Sequence, residues 1–225
     1  MRLKQNIIFD NKFSDIQKKC SEICKAYSKT GSFLYRASNH IFNDFAQIYP
    51  RKDRKTLNMD SKLSIRYDEE FYKLFGWKPR SEAMFCTSDL TEIDIYGDHM
   101  YIVFPKNGFS FLWSPDIMDL YSSAIENKDN RSTYDIHPAT LKWKLTDINP
   151  EELVELGMTK EQYEQSVIDD WHKEVEKQIK RVPLLYKNTN LPAAIRSGNE
   201  VSIKCDYYYV IDNNSQDDVE RMLNI

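Results

Sequence analysis

Three strand-like segments, far apart in the chain, carry polar side chains that suit the chemistry of a nucleotide. Arg36 lies in the first segment, and its guanidinium can bind a phosphate through two parallel hydrogen bonds. Thr87 and Ser88 end the second segment, where their hydroxyls can orient a ribose. Glu200 opens the third segment, and a carboxylate there can stabilise positive charge that develops on a sugar. Together these residues suit a nucleotide that carries both phosphate and ribose.

Each of these residues also has a simpler structural interpretation. Strand alternation places Arg36 on the same face as Leu34, so one of the 35 acidic residues could form a salt bridge with it. Thr87 and Ser88 precede a predicted short helix, and hydroxyl side chains commonly cap helices. Glu200 follows Ser-Gly-Asn, a sequence typical of turns. The functional interpretation therefore depends on the order and context of the three segments.

That order resembles the Arg, Ser-Thr-Ser, Glu signature of the ADP-ribosyltransferases, which use NAD as donor. Arg36 stands on the first strand, and residues 85–88 form an aromatic followed by Cys-Thr-Ser. A predicted short helix then ends at Tyr96, and Glu200 precedes aliphatic residues and a further strand. The resemblance spans residues 32–211, although its motifs are short.

The resemblance implies a fold as well as an activity. We expect a single α+β domain over residues 1–225, with ADP-ribosyltransferase-like split sheets and surrounding helices. A charged helical insertion is expected at about residues 149–182. The alternation of predicted strands and helices along the chain independently favours a mixed α+β class.

The implied activity is transfer of ADP-ribose from NAD, as co-substrate, to a protein or nucleic-acid acceptor. Glu200 would be the catalytic residue, stabilising an oxocarbenium-like transition state. The residues expected to bind NAD are Tyr35, Arg36, Thr87, Ser88 and Tyr96, with Tyr96 stacking on the nicotinamide.

Two positions depart from the family pattern. Cys86 replaces the first serine, and Gly198 stands two residues before Glu200, where arginine-modifying members carry a glutamate and several others a glutamine. Activity towards arginine is therefore disfavoured. The alternative is a non-catalytic nucleotide- or partner-binding protein with a degenerate transferase fold. A third possibility is that the charged helices form a protein-interaction surface.

Composition limits how a nucleotide could be held. The chain of 225 residues has only 6 glycines and contains neither a G-x-G-x-x-G sequence nor a Walker A sequence, so side chains would have to bind the phosphates. A net charge of −4 disfavours strong non-specific binding of DNA. A local basic loop containing Arg51, Lys52 and Arg54 could nevertheless contact NAD phosphates or a nucleic-acid acceptor, or form a solvated surface.

Cysteine and histidine spacing gives no metal site. The four cysteines form no C-x-x-C pair, and the four histidines lack zinc-binding spacing. The sequence shows no apolar stretch typical of a signal peptide or a membrane span, so we expect a cytoplasmic protein without membrane partners. A toxin or phage effector would fit this size and charge.

Local patterns predict the elements that must position these residues. Helices are predicted over residues 14–27, 40–47, 68–75, 89–96, 115–126, 149–156, 159–181 and 215–223. Strands are predicted over residues 32–37, 83–87, 100–105, 109–113, 201–204 and 207–211, with residues 106–108 joining two of them in a hairpin.

Overall fold

A computed structural model describes residues 13–42, 44–51, 59, 61–91, 93, 96–120, 141–142, 145–146 and 149–225. The strands are β1 Tyr35–Ser38, β2 Phe45–Ile48, β3 Met84–Cys86, β4 His99–Pro105, β5 Ser110–Trp113, β6 Val201–Lys204 and β7 Tyr208–Asp212. The helices are α1 at 13–19, α2 Ser21–Thr30, α3 Ser61–Phe75, α4 Pro79–Glu82, α5 Pro150–Leu156, α6 Lys160–Arg181, α7 Leu191–Arg196 and α8 Gln216–Leu223. Short 3₁₀ helices cover Val182–Leu185 and Asn213–Ser215.

The strands form two antiparallel sheets, which together with the helices give the expected α+β class. The larger sheet has the order β1-β4-β7-β2, and the smaller has the order β3-β6-β5. An isolated bridge between Tyr35 and Thr87 joins the two sheets, with N···O distances of 2.7 and 3.1 Å. The seam between the sheets therefore lies at the end of β3, beside β1.

The first hydrophobic core includes both sheets, α2 and α8. Tyr27 of α2 is fully buried, and its hydroxyl donates to the carbonyl of Val103 at 2.6 Å. The same hydroxyl accepts from the amide of Leu34 at 3.3 Å, so α2 holds both β4 and the residue before β1. The predicted helix over residues 14–27 is interrupted at Cys20, where the chain bends between α1 and α2.

A second core covers the other face of the smaller sheet. Helices α3 and α6 supply Tyr67, Phe71 and Ile179, which pack with Leu112 of β5. The helix predicted from residue 159 is present as α6, which Thr159 begins with a capping box, and Gly157 ends α5 in the left-handed conformation. The predicted helical insertion thus contributes directly to this layer.

The turn at residues 106–108 does not join a hairpin, because β4 and β5 belong to different sheets. The amide of Asn107 donates to the carbonyl of Lys19 at 2.7 Å, and its side chain accepts from the amide of Glu22 at 3.0 Å. These bonds fix the turn against α1 and α2. The chain therefore crosses from one sheet to the other instead of folding back.

Three other predicted helices are replaced, in their described residues, by strand, turn or irregular structure. Within residues 40–47, the described backbone leads into β2, because Phe45–Ile48 pairs with β7 and that pairing outweighs local helical preference. The described residues of 89–96 lie mainly in turns, and those of 115–119 are not helical. Residues 121–126 lie outside the described part of the chain.

Candidate functional site

The three segments that carry the candidate residues lie side by side. Tyr35 of β1 pairs with Thr87 at the end of β3, and Cys86 pairs with Val201 of β6. Continuing this register places Thr87 beside Glu200, where both strands end. The backbones of Arg36 and Glu200 are thus separated by two strand spacings, or about 10 Å.

The hydroxyl of Thr87 ties the second segment to the third. It donates to the carbonyl of Gly198 at 2.6 Å and accepts from the amide of Asp89 at 3.0 Å. Thr87 therefore fixes the turn that precedes Glu200, in addition to the backbone bonds that it makes with Tyr35.

The turn before Glu200 is anchored on its other side as well. The amide of Glu200 donates to the carbonyl of Met118 at 2.7 Å, and the side chain of Asn199 donates to the carbonyl of Ser114 at 2.8 Å. Both acceptors lie in the segment that follows β5. Glu200 is half-buried, and the turn that precedes it is held on two sides.

The backbone conformation at position 198 explains why this chain has glycine where the transferase signature has glutamate or glutamine. Its φ is +75°, a conformation that residues with a side chain rarely adopt. A Cβ at this position would lie 3.6 Å from the Cβ of Asp89. A glutamate or glutamine here would strain this turn, so glycine permits the close bond between Gly198 and Thr87.

Arg36 is half-buried on β1, opposite Tyr101 of β4. Its guanidinium forms no salt bridge with any carboxylate in the part of the chain that the structure describes. In the simpler interpretation an acidic side chain neutralises Arg36, and no such side chain is found among the described residues.

Tyr96 lies close to the end of β1 through its neighbour Gly97. A Cβ on Gly97 would lie 2.5 Å from the carbonyl carbon of Ser38, so only glycine permits this contact. Tyr96 is 49% exposed. It is therefore partly accessible near Ser38, which lies two residues beyond Arg36 on β1. Ser88, the remaining hydroxyl candidate, is half-buried beside Thr87.

Tyr35 is placed differently from the expectation that it contacts NAD. Its side chain is 5% exposed, and its hydroxyl donates to Oε1 of Gln216 at 2.9 Å. Burial, with a smaller effect from the negative charge of Glu220, raises the pKa of Tyr35 to about 12. The Tyr35 side chain therefore belongs to the first core, and its backbone alone joins the seam.

The proposed basic loop is described only at its start. Arg51 is exposed and lies in irregular structure, whereas Lys52 and Arg54 lie outside the described residues. Cys86, which replaces the first serine of the family pattern, is buried. A hydroxyl adjacent to Glu200 is therefore supplied by Thr87 and not by position 86.

The sequence reasoning missed a buried polar group on the second-core side of Glu200. Arg80 follows Pro79 at the start of α4. Its guanidinium carbon lies over the ring of Phe85, 4.9 Å from the ring centroid. Burial holds the pKa of Tyr186 well above its usual range, and Glu200 raises it further. The only sequence signal was the proline-started turn directly before β3, which by itself indicates helix initiation.

The electrostatics of Asp68 show how closely this group is packed. Burial raises the pKa of the Asp68 carboxyl, while bonds from Ser81 and from the amide of Arg80 oppose that rise. The hydrogen bond that the Arg80 amide donates to Oδ1 of Asp68 is 2.7 Å long. Asp68 therefore holds α4 to α3 just before the start of β3.

Within the described residues, no group of three or more histidine, cysteine, aspartate or glutamate side chains could hold a metal ion. No described helix has the length and apolar character needed to cross a bilayer. Comparisons with protein-family models, curated proteins and solved structures find no match to this chain.

Proposed function

We propose that the chain is an NAD-dependent ADP-ribosyltransferase whose site lies at the seam between its two sheets. The observation that carries the proposal is that Thr87, directly after β3, is bridged to β1 beside Arg36 and lies next to Glu200, directly before β6. These residues are separated by 51 and 113 positions in sequence, from 36 to 87 and from 87 to 200. Their order also resembles the signature of the transferase family.

Glu200 is assigned the catalytic role. Cleavage of the bond between nicotinamide and ribose builds positive charge on the ribose. A carboxylate beside the ribose interacts more strongly with that charge in the transition state than in the bound substrate, and so accelerates the reaction. The hydrogen bond from the Glu200 amide to the carbonyl of Met118 supports this assignment, because it fixes the backbone that carries the carboxylate.

The remaining side chains bind and orient the donor. Arg36 holds the phosphates, and its lack of a described salt bridge leaves its guanidinium available. Ser88 and Thr87 lie next to the ribose position, where Thr87 also fixes the turn before Glu200. Tyr96, partly exposed near the end of β1, stacks on the nicotinamide and positions it as leaving group.

The acceptor is a protein or a nucleic acid, and water is the acceptor in a slower hydrolysis of NAD. Arg51 provides an exposed positive charge that suits either the NAD phosphates or a nucleic-acid acceptor. Incubation with labelled NAD and a cell lysate would identify whether protein, DNA or RNA receives the label.

The decisive test compares the wild type with Glu200→Gln at saturating NAD. Glutamine keeps the shape but removes the charge, so NAD affinity should persist while nicotinamide release falls about 100-fold or more. Glu155→Gln, an exposed change on α5, is the matched control and should retain full turnover. Equal turnover in an active wild type and Glu200→Gln would remove Glu200 from the mechanism.

A non-catalytic NAD-binding protein is the second candidate. The observation that favours it is the engagement of the Thr87 hydroxyl with Gly198, together with the burial of Cys86, which reduces the hydroxyls available to a ribose. This candidate predicts thermal stabilisation by NAD without release of nicotinamide. The transferase predicts both.

A further inference from the structure

Arg80 is a buried cation close to the proposed catalytic residue. Its side chain lies over the ring of Phe85, and the residue is only 7% exposed. Its Nε is buried without an acceptor, and the guanidinium forms no salt bridge with a described carboxylate. Because burying a charge is costly, carboxylates at longer range must compensate it.

The register of β3 and β6 places Arg80 on the same side of the sheet as Glu200. Phe85 pairs with Ser202, and the ring of Phe85 packs with the second core. Side chains two residues further along each strand point to the same side, which gives Thr87 and Glu200. Arg80 therefore lies about 7 Å along the ladder from Glu200, one same-face position away.

The pKa of the Tyr186 hydroxyl is affected by three charged groups in this region. Burial raises its pKa well above the usual range, and the carboxylates of Glu200 and Asp119 raise it further, whereas Arg80 lowers it. The buried Tyr186 hydroxyl therefore lies within electrostatic range of all three charged groups. Arg80 also lowers the otherwise raised pKa of Tyr67.

We propose that Arg80 is a positioning residue for Glu200, supplying the positive charge that keeps its carboxylate ionised and oriented. This inference rests on the catalytic role proposed for Glu200. Arg80 and Glu200 both lie within electrostatic range of the buried Tyr186 hydroxyl, and a fixed cation in such a poorly solvated region favours the ionised form of a carboxyl group. Arg80 acts through Glu200 and does not touch the donor.

Several titratable groups from different elements lie around Arg80 and Glu200. They are Tyr67 and Asp68 of α3, Arg80 of α4, Asp89 after β3, Asp119 after β5, and Tyr186 after the 3₁₀ helix Val182–Leu185. Among these described groups Arg80 is the one cation. Removing this positive charge should therefore disfavour the ionised form of Glu200.

Two neutral replacements test this role, because a buried position tolerates some shapes better than others. Arg80→Gln keeps hydrogen-bond donors, and Arg80→Met keeps apolar packing on Phe85. The titration midpoint of the Glu200 carboxyl is measured by carbon NMR and assigned with Glu200→Gln. In a neutral variant that folds, the midpoint should rise by about one pH unit or more, since a cation at this range favours the carboxylate.

Arg80→Lys provides the rescue, because it restores the charge without the planar group. The midpoint should return towards the wild-type value, and the acid limb of the pH profile for nicotinamide release should move with it. A folded neutral variant with an unchanged Glu200 midpoint would overturn the proposal. A wild type that releases no nicotinamide would overturn the transferase function, while the titration would still measure the coupling between Arg80 and Glu200.

Discussion

At the scale of single residues, the site depends on side chains whose surroundings differ sharply from one another. Arg36 is half-buried with no described salt bridge, Thr87 is engaged on two sides, and Tyr35 belongs to the core. These differences determine which substitutions should change binding and which should change stability.

Replacing Arg36 with alanine should weaken NAD binding without unfolding the protein. Loss of a charge-assisted contact with phosphate costs about 1.5–3 kcal/mol, or roughly 10-fold to 150-fold in Kd. Calorimetric titration measures this difference. Arg181→Ala, which removes an exposed arginine at the end of α6, is the control and should bind NAD like the wild type. Equal affinity in Arg36→Ala and the control would reject the assigned role.

Replacing Gly198 with alanine should destabilise the protein and impair turnover together. An alanine at a φ of +75° costs about 1–2 kcal/mol, and any shift moves the carbonyl that accepts from Thr87. Gly76→Ala is a matched control, since its φ is +76° and no atom lies within 4 Å of the added Cβ. Urea unfolding should show similar losses for both variants, whereas nicotinamide release should fall only in Gly198→Ala.

At the scale of elements, the apolar strands were predicted from the sequence and the crossings between them were not. Apolar runs cover residues 33–35 and 83–86, and the structure places β1 at the end of the first run and β3 within the second. The segment that became β2 has no such run, so its pairing with β7 depends on residues more than 150 positions away. Likewise, Asn107 anchors the turn after β4 through contacts with helices that local pattern cannot indicate.

For the candidate site as well, the sequence indicated some of the residues and missed others. Arg36 lies on β1, Thr87 directly follows β3 and Glu200 directly precedes β6, while the roles that the family resemblance assigns to them remain predictions. Arg80 was missed because its importance arises from burial and from its position over Phe85, and both are tertiary properties. Tyr35 was assigned to the donor because adjacent residues on a strand look equivalent until the core is known.

The close contact between Gly97 and Ser38 fixes the Tyr96 segment against β1, and adding one methyl group at Gly97 tests this packing. Gly97→Ala places a Cβ 2.5 Å from the carbonyl carbon of Ser38, so β1 or the Tyr96 segment must shift. We expect a loss of about 1–3 kcal/mol in the free energy of unfolding, measured in urea. Asn39→Ala, an exposed change beside the contact, should alter stability by less than about 0.5 kcal/mol. A Gly97→Ala variant as stable as the wild type would show that the segment moves freely.

At the scale of the whole molecule, buried thiols make stability depend on pH in the alkaline range. Burial raises the pKa of Cys20, Cys24 and Cys205 from 9.0 to about 12. The unfolded chain therefore releases these protons near pH 9, while the folded chain retains them. Since the folded state binds more protons between pH 9 and 12, raising the pH across that window favours unfolding.

We expect the free energy of unfolding to be insensitive to these thiols below about pH 8 and to fall steadily above pH 9. Urea unfolding at several pH values, under reducing conditions, measures the slope. Cys20→Ser is a poor control because it changes packing, so thiol titration of the native protein is the better companion measurement. Rapid reaction of all four thiols in the native state at pH 8 would contradict the burial on which this prediction depends.

The bridge between Tyr35 and Thr87 makes the seam a natural place for the molecule to open. Among the described strands, this isolated pair is the link between sheets, whereas every other strand pairing lies within one sheet. A donor held by Arg36 on one side and by Glu200 on the other would fasten the two sheets together. Hydrogen exchange at the amides of Tyr35 and Thr87 would then slow when NAD is bound, while exchange within β4 and β7 would change little. The binding energy of the donor would thus appear partly as a change in how often the two sheets separate.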